Sequence, residues 1–506
     1  MYDNKDNIEK LIRITLLKCE SWIKQGHDGM DYFIDPNDGI EISAHYGATH
    51  TAAAFILWGK QTGDNSVFEK GVSLLQSILN RWDKSKTLPA FHYDFNNLAL
   101  SMVENLVVDE LSKQIRETVL STNDSNHDTI NWLPMRWAVN KARKQWTTSS
   151  QYDGTIDRCK KVIADATNAD GGIEDRLPFG MSFNLQYDLA TVAVMQYLRC
   201  EGEKKELSKE LGFLLNCVTP DGDINYLGRG TNQIFAWGLW IYLLSSSGQV
   251  DACRLALDYL SLHLPSMLKN NNLMLNKWEG NEKYLWWDYH YASVYTAHFL
   301  LWLVLAYRDI DKCVILPQYP TSAETGVHIY RTENAFVSWF EGRKEYLAEK
   351  GPVIAALWTK RYGIISKGTF GPWQGAFGNN NIFEDIIFKN FFGLLEVNRN
   401  MDWSKNRYIH KIIPSLESAP KLTIKPIFSS ITVNEKDGKL EITFYCEKKT
   451  EYILNIPTFS SDCKLLAYIN GNPKSICMVE SIRNQYDWVW INQTRSDYFS
   501  SIEIVI

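Results

Sequence analysis

The chain has 506 residues, of which 45% are hydrophobic and 22% charged, a composition typical of a soluble globular protein rather than a disordered or membrane one. This length exceeds one ordinary core, so we expect two packed domains. The net charge of -6 comes from 53 basic and 59 acidic residues without a basic stripe, which argues against nucleic acid as a partner.

No run of about 18 apolar residues occurs, so the sequence predicts no membrane span. The opening residues, MYDNKDNIEK, lack the basic and apolar regions of a secretory signal. The chain as given is therefore predicted to be cytoplasmic, and periplasmic or secreted if a signal peptide has been removed. The nine cysteines are widely spaced and form no CxxC pair, so we interpret them as reduced core residues.

Aromatic residues are abundant, with 18 Trp, 25 Tyr and 22 Phe. Sugar rings stack on aromatic faces, but Trp also packs between helices in a large helical domain. Clusters of aromatic residues beside polar ones are therefore the places where a sugar-binding interpretation is favoured.

From the N-terminus to about residue 312, apolar residues recur at three- and four-residue spacing between breakers, which predicts helices. One unit recurs: an apolar helix, a glycine-bearing turn and a second amphipathic helix. Its copies cover residues 49–75, 187–215 and 234–260. The recurrence predicts an array of helical hairpins.

Hairpin units of roughly 40 to 50 residues either stack into a solenoid or close into a ring. A ring is favoured because long polar and aromatic connections lead into first helices, and functional loops often gather at one rim. These connections are residues 121–131, 168–187, 217–233 and 276–290. Residues 1–315 are therefore predicted to form an (α/α) toroid that carries the catalytic site.

The character of the sequence changes near Pro317 and Pro320, which break the helical pattern. Short segments with period-two patterning and β-branched residues follow, and these predict strands. The segments are residues 326–331, 335–340, 439–445 and 501–506. The predicted fold class is thus α+β multidomain, with the toroid followed by an antiparallel β-sandwich over residues 316–506.

The most distinctive segment is the loop at residues 221–233, which contains three glycines and enters the third hairpin. Glycines let the backbone approach a ligand closely, and we expect Tyr226 and Arg229 to lie within reach of each other. Because a guanidinium favours the phenolate, the pKa of Tyr226 is expected to be lowered. The alternative is a capped turn with Tyr226 packed and Arg229 in a surface salt bridge.

A second cluster, residues 286–291, interleaves aromatic side chains with an acid and an imidazole. Trp287 and Tyr291 offer a stacking wall. His290 offers proton transfer or neutralisation of a carboxylate, because imidazole titrates near neutral pH. The alternative is a histidine that is satisfied within an aromatic core.

Other polar side chains also precede apolar helices, among them His45 and Asn184. Helix capping is the alternative explanation for His45. Asn131 and Arg136 flank Trp132, and an amide and a guanidinium beside an indole suit a sugar carboxylate.

Carboxylates in the same connections allow a different chemistry, because a pair of them serves as acid and base in a glycosidase. The candidates are Asp175, Asp188, Asp223 and Asp288. Walker, dinucleotide-binding, HExxH and GxSxG motifs are absent, and His45 and His50 belong to no larger ligand-spaced group. Neither a cofactor nor a metal is predicted.

This predicted arrangement, helical hairpins followed by strands, resembles that of the heparinase II/III-like polysaccharide lyases and related bacterial (α/α) toroid carbohydrate-active enzymes. The resemblance covers most of the chain. The segments at Asn131-Trp132, at Tyr187-Asp188 and at residues 226–230 also look like a bacterial toroid group with a Gly-Arg-Ser-type loop, some related to β-glucuronidases. Gly230 stands where that loop has serine. In the lyases a tyrosine commonly removes the C5 proton of a uronate and returns it to the leaving oxygen, while Asn, His or Arg neutralises the carboxylate.

The resemblance implies a lyase that cleaves a uronic-acid-containing polysaccharide by β-elimination, with Tyr226 as acid and base. Arg229, His290 and Asn131 would stabilise the enediolate charge. The predicted substrate-binding residues are His45, Arg136, Trp132, Asn184, Tyr187, Gln233, Trp287 and Tyr291. The alternatives are a toroid glycoside hydrolase, for example a β-glucuronidase-like enzyme with paired carboxylates, and a non-catalytic glycan-binding protein. The expected partner is a polysaccharide or oligosaccharide, and the sequence indicates no particular oligomeric state.

Overall fold

The chain is helical first and β-structured second. A computed structural model describes residues 2–37, 39–85, 92–124, 129–175, 183–227, 234–269, 291–341, 353–367, 393–398, 423–426, 430–445, 452–458, 463, 465–469, 472–474, 477–483, 488–496 and 501–506. These residues contain twelve α-helices, the last of which ends at Asp309, and all but two of their sixteen β-strands begin at or after Val327.

The helices alternate between an inner and an outer layer. The inner helices are α2 (Gly47–Thr62), α4 (Tyr93–Val103), α6 (Leu133–Thr147), α8 (Leu185–Cys200), α10 (Phe235–Ser246) and α12 (Ala292–Asp309). The outer helices are α1 (Tyr2–Ser21), α3 (Asn65–Ser85), α5 (Asp109–Ser121), α7 (Asp153–Ala166), α9 (Ser208–Cys217) and α11 (Val250–Lys269).

The inner helices form a closed ring. Each inner helix contacts the next one along the chain, and α12 contacts α2. Each inner helix also packs against an outer helix, such as α3 on α2 and α7 on α6. This is the geometry of an (α/α) toroid, and the predicted choice of a ring over a solenoid is confirmed.

Burial explains why the two layers have different sequences. All residues of α10 are buried, and a helix that is covered on every side must be apolar all round. The outer helix α5 buries only Leu111, Ile115 and Val119, which are spaced by four residues and form one stripe. Although α10 is apolar, none of the helices described has the combination of length and hydropathy that crossing a bilayer requires.

One close approach in the ring depends on a glycine. A Cβ atom placed on Gly238 of α10 would lie 2.7 Å from the carbonyl oxygen and 2.9 Å from the Cα atom of Phe299 in α12. Any side chain at this position would therefore force the two inner helices apart.

The strands are antiparallel throughout the described residues. A short hairpin of β1 (Ile23–Gln25) and β2 (Asp31–Phe33), which the helical pattern does not predict, lies between α1 and α2. The first C-terminal sheet has the order β3-β4-β5-β6, from β3 (Val327–Arg331), β4 (Ala335–Phe340), β5 (Val353–Thr359) and β6 (Gly363–Lys367).

Two five-stranded sheets contain the remaining strands. One has the order β14-β15-β11-β7-β8, from β7 (Gly393–Asn398), β8 (Thr423–Pro426), β11 (Tyr452–Thr458), β14 (Cys477–Arg483) and β15 (Trp488–Ser496). The other has the order β13-β12-β16-β10-β9, from β9 (Ser430–Lys436), β10 (Lys439–Tyr445), β12 (Leu466–Ile469), β13 (Asn472–Lys474) and β16 (Ser501–Val505). The four segments predicted to be strands correspond to β3, β4, β10 and β16.

The first C-terminal sheet packs on both of its faces. Phe336 and Phe340 belong to the same hydrophobic cluster as the helices. Val337 and Ile354 share a second cluster with Ile442 and other residues of β9 to β11. The antiparallel β-structure after the helices is thus confirmed, whereas one two-sheet sandwich and a domain boundary at residues 315 and 316 stay predictions.

Candidate functional site

The residues that open the inner helices meet at one end of the ring. His45 lies just before α2, His92 just before α4 and Tyr291 just before α12, while Trp132 precedes α6. The ring centre of His45 lies 4.3 Å from that of His92 and 5.1 Å from that of Tyr291. The ring centre of Trp132 lies 5.2 Å from that of His92. We call these four residues the N-terminal mouth.

The mouth brings together side chains that are far apart in the sequence. His45, Trp132 and Tyr291 are predicted substrate-binding residues from three different connections, and the ring places them beside one another. Trp132 is 7% exposed, whereas His45, His92 and Tyr291 are only half-buried. Two imidazoles, a phenol and an indole are therefore adjacent, and their roles toward a substrate stay predictions.

His92 is the mouth residue with the most unusual backbone. Its φ of 62° and ψ of 29° lie in the left-handed region, which few non-glycine residues adopt and which recurs at functional sites. Its Nδ1 atom lies 3.2 Å from the carbonyl oxygen of Ala44. Because a carbonyl only accepts, this hydrogen bond assigns the proton to Nδ1 and makes Nε2 the acceptor nitrogen of the ring.

An aromatic layer underlies the mouth. The ring of Tyr46 stacks on that of Phe95 at a centroid distance of 4.4 Å and an interplanar angle of 9°. The ring of Phe95 meets that of Trp132 edge-on at 5.4 Å. Tyr46 and Phe95 are 3% exposed each, so the layer separates the mouth from the interior of the ring.

Two further histidines lie on the interior side of this layer. The rings of His50 and His298 are 5.2 Å apart, and His298 stacks on Phe235 at 4.2 Å. Burial lowers the pKa of His50 to about 3 and holds that of His298 well below its usual value. Neither ring nitrogen of His298 has a hydrogen-bond partner among the described residues. Both side chains are therefore neutral at neutral pH.

Asn184 caps the helix that it precedes. Its Oδ1 atom accepts from the backbone N–H groups of Gln186 and Tyr187, at 3.1 and 3.4 Å. Asn184 is thus the N-cap of α8, and its contact with a substrate stays a prediction. Tyr187 is 8% exposed and Asn131 is 4% exposed, and their contacts with a substrate stay predictions.

Arg136 has a partner other than a sugar carboxylate. Its Nε and Nη2 atoms lie 3.2 and 3.1 Å from Oδ2 of Asp94, and both side chains are buried. Opening a buried ion pair is costly, because it leaves an uncompensated charge away from water. Arg136 therefore links α6 to α4 through this ion pair, and its contact with a substrate carboxylate stays a prediction.

Tyr226 lies inside the protein. Its side chain is 0% exposed, and its hydroxyl donates a 2.6 Å hydrogen bond to the carbonyl oxygen of Cys217. Burial, and then the nearby thiol of Cys217, raise the pKa of Tyr226 well above its usual value. The predicted lowering of this pKa is wrong, and a buried phenol that holds its proton does not suit the role of a base.

The carboxylates of the hydrolase alternative are also buried. Asp175 accepts from the backbone N–H of Ile130 at 3.2 Å, and Asp223 is paired with Lys367. Burial raises the pKa of Asp188 well above its usual value, although the N–H of Ile173 counteracts this. These three side chains are at most 1% exposed, so they do not line an accessible cleft as a glycosidase pair must.

Lys367 joins the strands to the connection that precedes α10. Its Nζ atom lies 3.1 Å from a carboxylate oxygen of Asp221, 3.1 Å from one of Asp223 and 2.9 Å from the hydroxyl of Tyr259 in α11. Burial alone would lower the pKa of Lys367, but Asp223, Tyr259 and Asp221 together raise it well above its usual value. The lysine is therefore charged and fixes this connection to β6.

Five predicted site residues lie outside the described residues. They are Arg229, Gln233, Trp287, Asp288 and His290. Their roles remain as the sequence predicts them. In the described ranges, no three His, Cys, Asp or Glu side chains gather closely enough to hold a metal ion.

Comparisons with known proteins give distant similarities. No protein-family model matches the chain, and no curated protein matches it in sequence. Among solved structures, the chain is similar to an α-1,6-mannanase from Salegentibacter sp. HEL1_6, with 11% identity over 60% of this chain and 98% of that chain and a TM-score of 0.40.

Two other solved structures are also similar to the chain. A mutant of unsaturated glucuronyl hydrolase from Streptococcus agalactiae has 11% identity over 59% of this chain and 90% of that chain, with a TM-score of 0.38. A heparinase III gene product has 10% identity over 82% of this chain and 77% of that chain, with a TM-score of 0.26. The resemblance to heparinase and other toroid enzymes is thus found again, and similarities at this level assign no reaction to the chain.

His92 is the mouth residue that the sequence-based predictions leave out. It precedes an apolar helix, as His45 does, and this shared position is the signal that would have identified it. Its left-handed backbone and its hydrogen bond to Ala44 arise from tertiary structure and have no local sequence pattern.

Proposed function

We propose that this chain is a carbohydrate-active enzyme of the (α/α) toroid class that cleaves a uronate-containing polysaccharide by β-elimination at the N-terminal mouth. The observation that carries the proposal is the contact of His45 with both His92 and Tyr291, at ring distances of 4.3 and 5.1 Å. His92 as proton acceptor and Tyr291 as proton donor thus both lie beside the imidazole of His45, and all three side chains are half-buried.

In the proposed β-elimination, His92 and Tyr291 each carry out one proton transfer. The Nε2 atom of His92 accepts the C5 proton of the uronate, because it is the acceptor nitrogen in the tautomer that the bond to Ala44 requires. The electron pair of the broken C5–H bond forms the C4–C5 double bond, and the C4–O bond breaks. Tyr291 donates a proton to the leaving oxygen.

The developing charge on the uronate carboxylate needs positioned donors. His45 can donate a hydrogen bond from its imidazole. The inner helices also direct the positive ends of their dipoles toward this end of the ring, which favours an anionic group there. This arrangement supports a uronate over a neutral sugar, and Trp132 offers a ring face on which the sugar can stack.

A glycoside hydrolase is the less supported alternative. Of its four candidate carboxylates, Asp288 lies outside the described residues. Among the described ones, Asp223 is paired with Lys367, Asp175 accepts from the N–H of Ile130, and burial raises the pKa of Asp188 well above its usual value. None of these carboxylates has the exposure at a cleft that an acid and base pair requires. The imidazole and phenol of the mouth are better placed for proton transfer at carbon.

The test is turnover on a panel of uronate-containing polysaccharides, followed by the ultraviolet absorbance of new C4–C5 double bonds. His92→Asn keeps a residue that tolerates a positive φ, and Tyr291→Phe removes only the hydroxyl. Each change should lower kcat/KM by about 10²–10⁴-fold, the usual contribution of a general acid or base. The matched control is Tyr226→Phe, which should leave turnover per folded molecule unchanged.

The other outcomes would contradict the proposal in distinct ways. New reducing ends without double bonds would indicate hydrolysis. Binding without any product would indicate a glycan-binding protein. Loss of double-bond formation in Tyr226→Phe, with normal turnover in Tyr291→Phe, would return the acid and base role to the buried tyrosine.

A further inference from the structure

A cavity of about 390 Å³ lies at the end of the ring opposite the N-terminal mouth. Its wall is formed where α2, α4, α6, α8 and α12 end, and we call it the C-terminal cavity. Its volume is within the range of small-molecule sites, about 300–1,000 Å³. The side chains that carry the inference are Gln61, Asn105, Gln145, Trp146 and Tyr197.

The charged side chains of the wall are mostly paired. Arg308 binds Glu201 at 3.1 Å and the adjacent Asp309 at 2.6 Å. Lys141 lies 3.4 Å from Glu203, and Glu104 accepts from Arg116 at 2.5 Å. Lys60 is exposed at the rim. A ligand with a net charge would therefore find little uncompensated charge within the cavity.

The remaining wall suits a ligand with several hydroxyl groups. The exposed side-chain amides of Gln61, Asn105 and Gln145 line the cavity, and each provides both donors and an acceptor. Trp146 is half-buried and offers an aromatic face.

We propose that the C-terminal cavity is a second binding site, and that its ligand is a neutral sugar residue. Hydroxyl groups match the mixed amide donors and acceptors, and the apolar face of a sugar ring matches the indole of Trp146. The paired charges of the wall disfavour a uronate at this end of the ring. The ligand class thus differs from the anionic sugar proposed for the N-terminal mouth.

Packed aromatic rings separate the two ends of the toroid. The ring of Tyr197, in the cavity wall, lies 6.3 Å from that of Trp302, which lies 6.1 Å from that of His298 beneath the Tyr46 and Phe95 layer. Trp302 and His298 are 0% exposed. The second site is therefore separate from the mouth, and it does not depend on the function proposed above.

Ligand-observed NMR with a panel of neutral hexoses, pentoses and their disaccharides tests the proposal on the full chain. At least one sugar should bind the unaltered protein. Trp146→Ala should abolish binding of that sugar, because the ring on which it stacks is removed. Gln61→Ala combined with Gln145→Ala should raise the Kd of the sugar by about tenfold, since two hydrogen bonds are lost. The two glutamines are exposed, so the double variant keeps the core intact.

His92→Asn is the matched control, because it alters the opposite end of the ring and should leave the Kd of the neutral sugar unchanged. The proposal is overturned if no neutral sugar binds, or if binding survives both the Trp146 variant and the double glutamine variant. It is also overturned if binding is lost in His92→Asn, which would place the sugar at the mouth.

Discussion

Buried imidazoles make the stability of the ring sensitive to acid. His50 and His298 are neutral in the folded protein because burial depresses their pKa values, to about 3 for His50. Unfolding returns both groups to a pKa near 6.5, so the unfolded state takes up protons first as the pH falls. The stability that the two neutral histidines contribute is complete above the unfolded-state pKa. It is lost as the pH falls toward the pKa values of the folded protein.

We predict that the free energy of unfolding falls between about pH 7 and about pH 4, by up to about 1.4 kcal/mol per pH unit for each histidine. Urea unfolding at several pH values measures this. His298→Phe, which keeps a ring against Phe235, should reduce the slope. A free energy of unfolding that is constant over this pH range would show that these histidines do not control acid stability. So would a pH dependence that is equally steep in His298→Phe.

The hydroxyl of Tyr226 stabilises the fold rather than the reaction. Tyr226→Phe leaves the carbonyl of Cys217 without its 2.6 Å hydrogen bond in a buried environment. We expect a loss of about 1–3 kcal/mol in the free energy of unfolding. Tyr445→Phe, at a tyrosine that is 45% exposed, is the control and should change little. An unfolding curve identical to that of the unaltered protein would contradict the structural role.

The wrong prediction of a lowered pKa for Tyr226 has a physical origin. Glycines and charged residues surround it in the sequence and indicate an exposed loop, but tertiary contacts with Cys217 and the packed strands enclose it. The ion pair of Arg136 could likewise not be predicted from the local sequence, because its partner Asp94 belongs to another helix. Local patterns report residue type and position along the chain, whereas burial and pairing depend on residues that are distant in sequence.

The contact between α10 and α12 gives a prediction about the inner helices. Gly238→Ala would place a Cβ atom 2.7 Å from the carbonyl oxygen of Phe299. We expect a loss of about 1–3 kcal/mol in stability, as for other overpacked cores. Gly154→Ala in the outer helix α7 meets no atom within 4 Å and should be neutral or stabilising by about 0.5–1 kcal/mol. Equal effects of the two changes in denaturant unfolding would contradict the close packing.

The ionic contact of β6 with the helical part gives a second prediction for an element. Lys367→Met leaves the buried Asp223 and the half-buried Asp221 without their cation. We expect a loss of about 3–5 kcal/mol in the free energy of unfolding. Lys360→Met removes an exposed ion pair with Glu333 and should have no measurable effect in the same thermal or urea unfolding experiment. A Lys367→Met protein as stable as the control would contradict the role of this network.

Helices and strands were predictable because burial imposes a period on the sequence. The wholly buried α10 and the mostly buried α12 appear as largely apolar runs, and strands such as β10 appear as alternation. The short hairpin of β1 and β2 was missed, since three-residue strands carry too few positions for a period. The left-handed conformation of His92 was missed because no neighbouring residue specifies it.

At the scale of the whole molecule, ring closure creates the candidate site. The contact of α12 with α2 brings Tyr291 beside His45, although most of the helical chain separates them. The sequence predicted that the connections into first helices share one rim. It did not predict which side chains meet there, because this depends on the rotation of each inner helix about its axis.

The central claim is that the N-terminal mouth binds and cleaves the substrate. A crystal structure of the His92→Asn variant with a uronate oligosaccharide tests it most directly. We expect a sugar ring on Trp132. Its carboxylate should lie within hydrogen-bonding distance of His45, and its glycosidic oxygen should lie next to the hydroxyl of Tyr291. An oligosaccharide bound only at the C-terminal cavity or on the strands, with no sugar near these three residues, would contradict it.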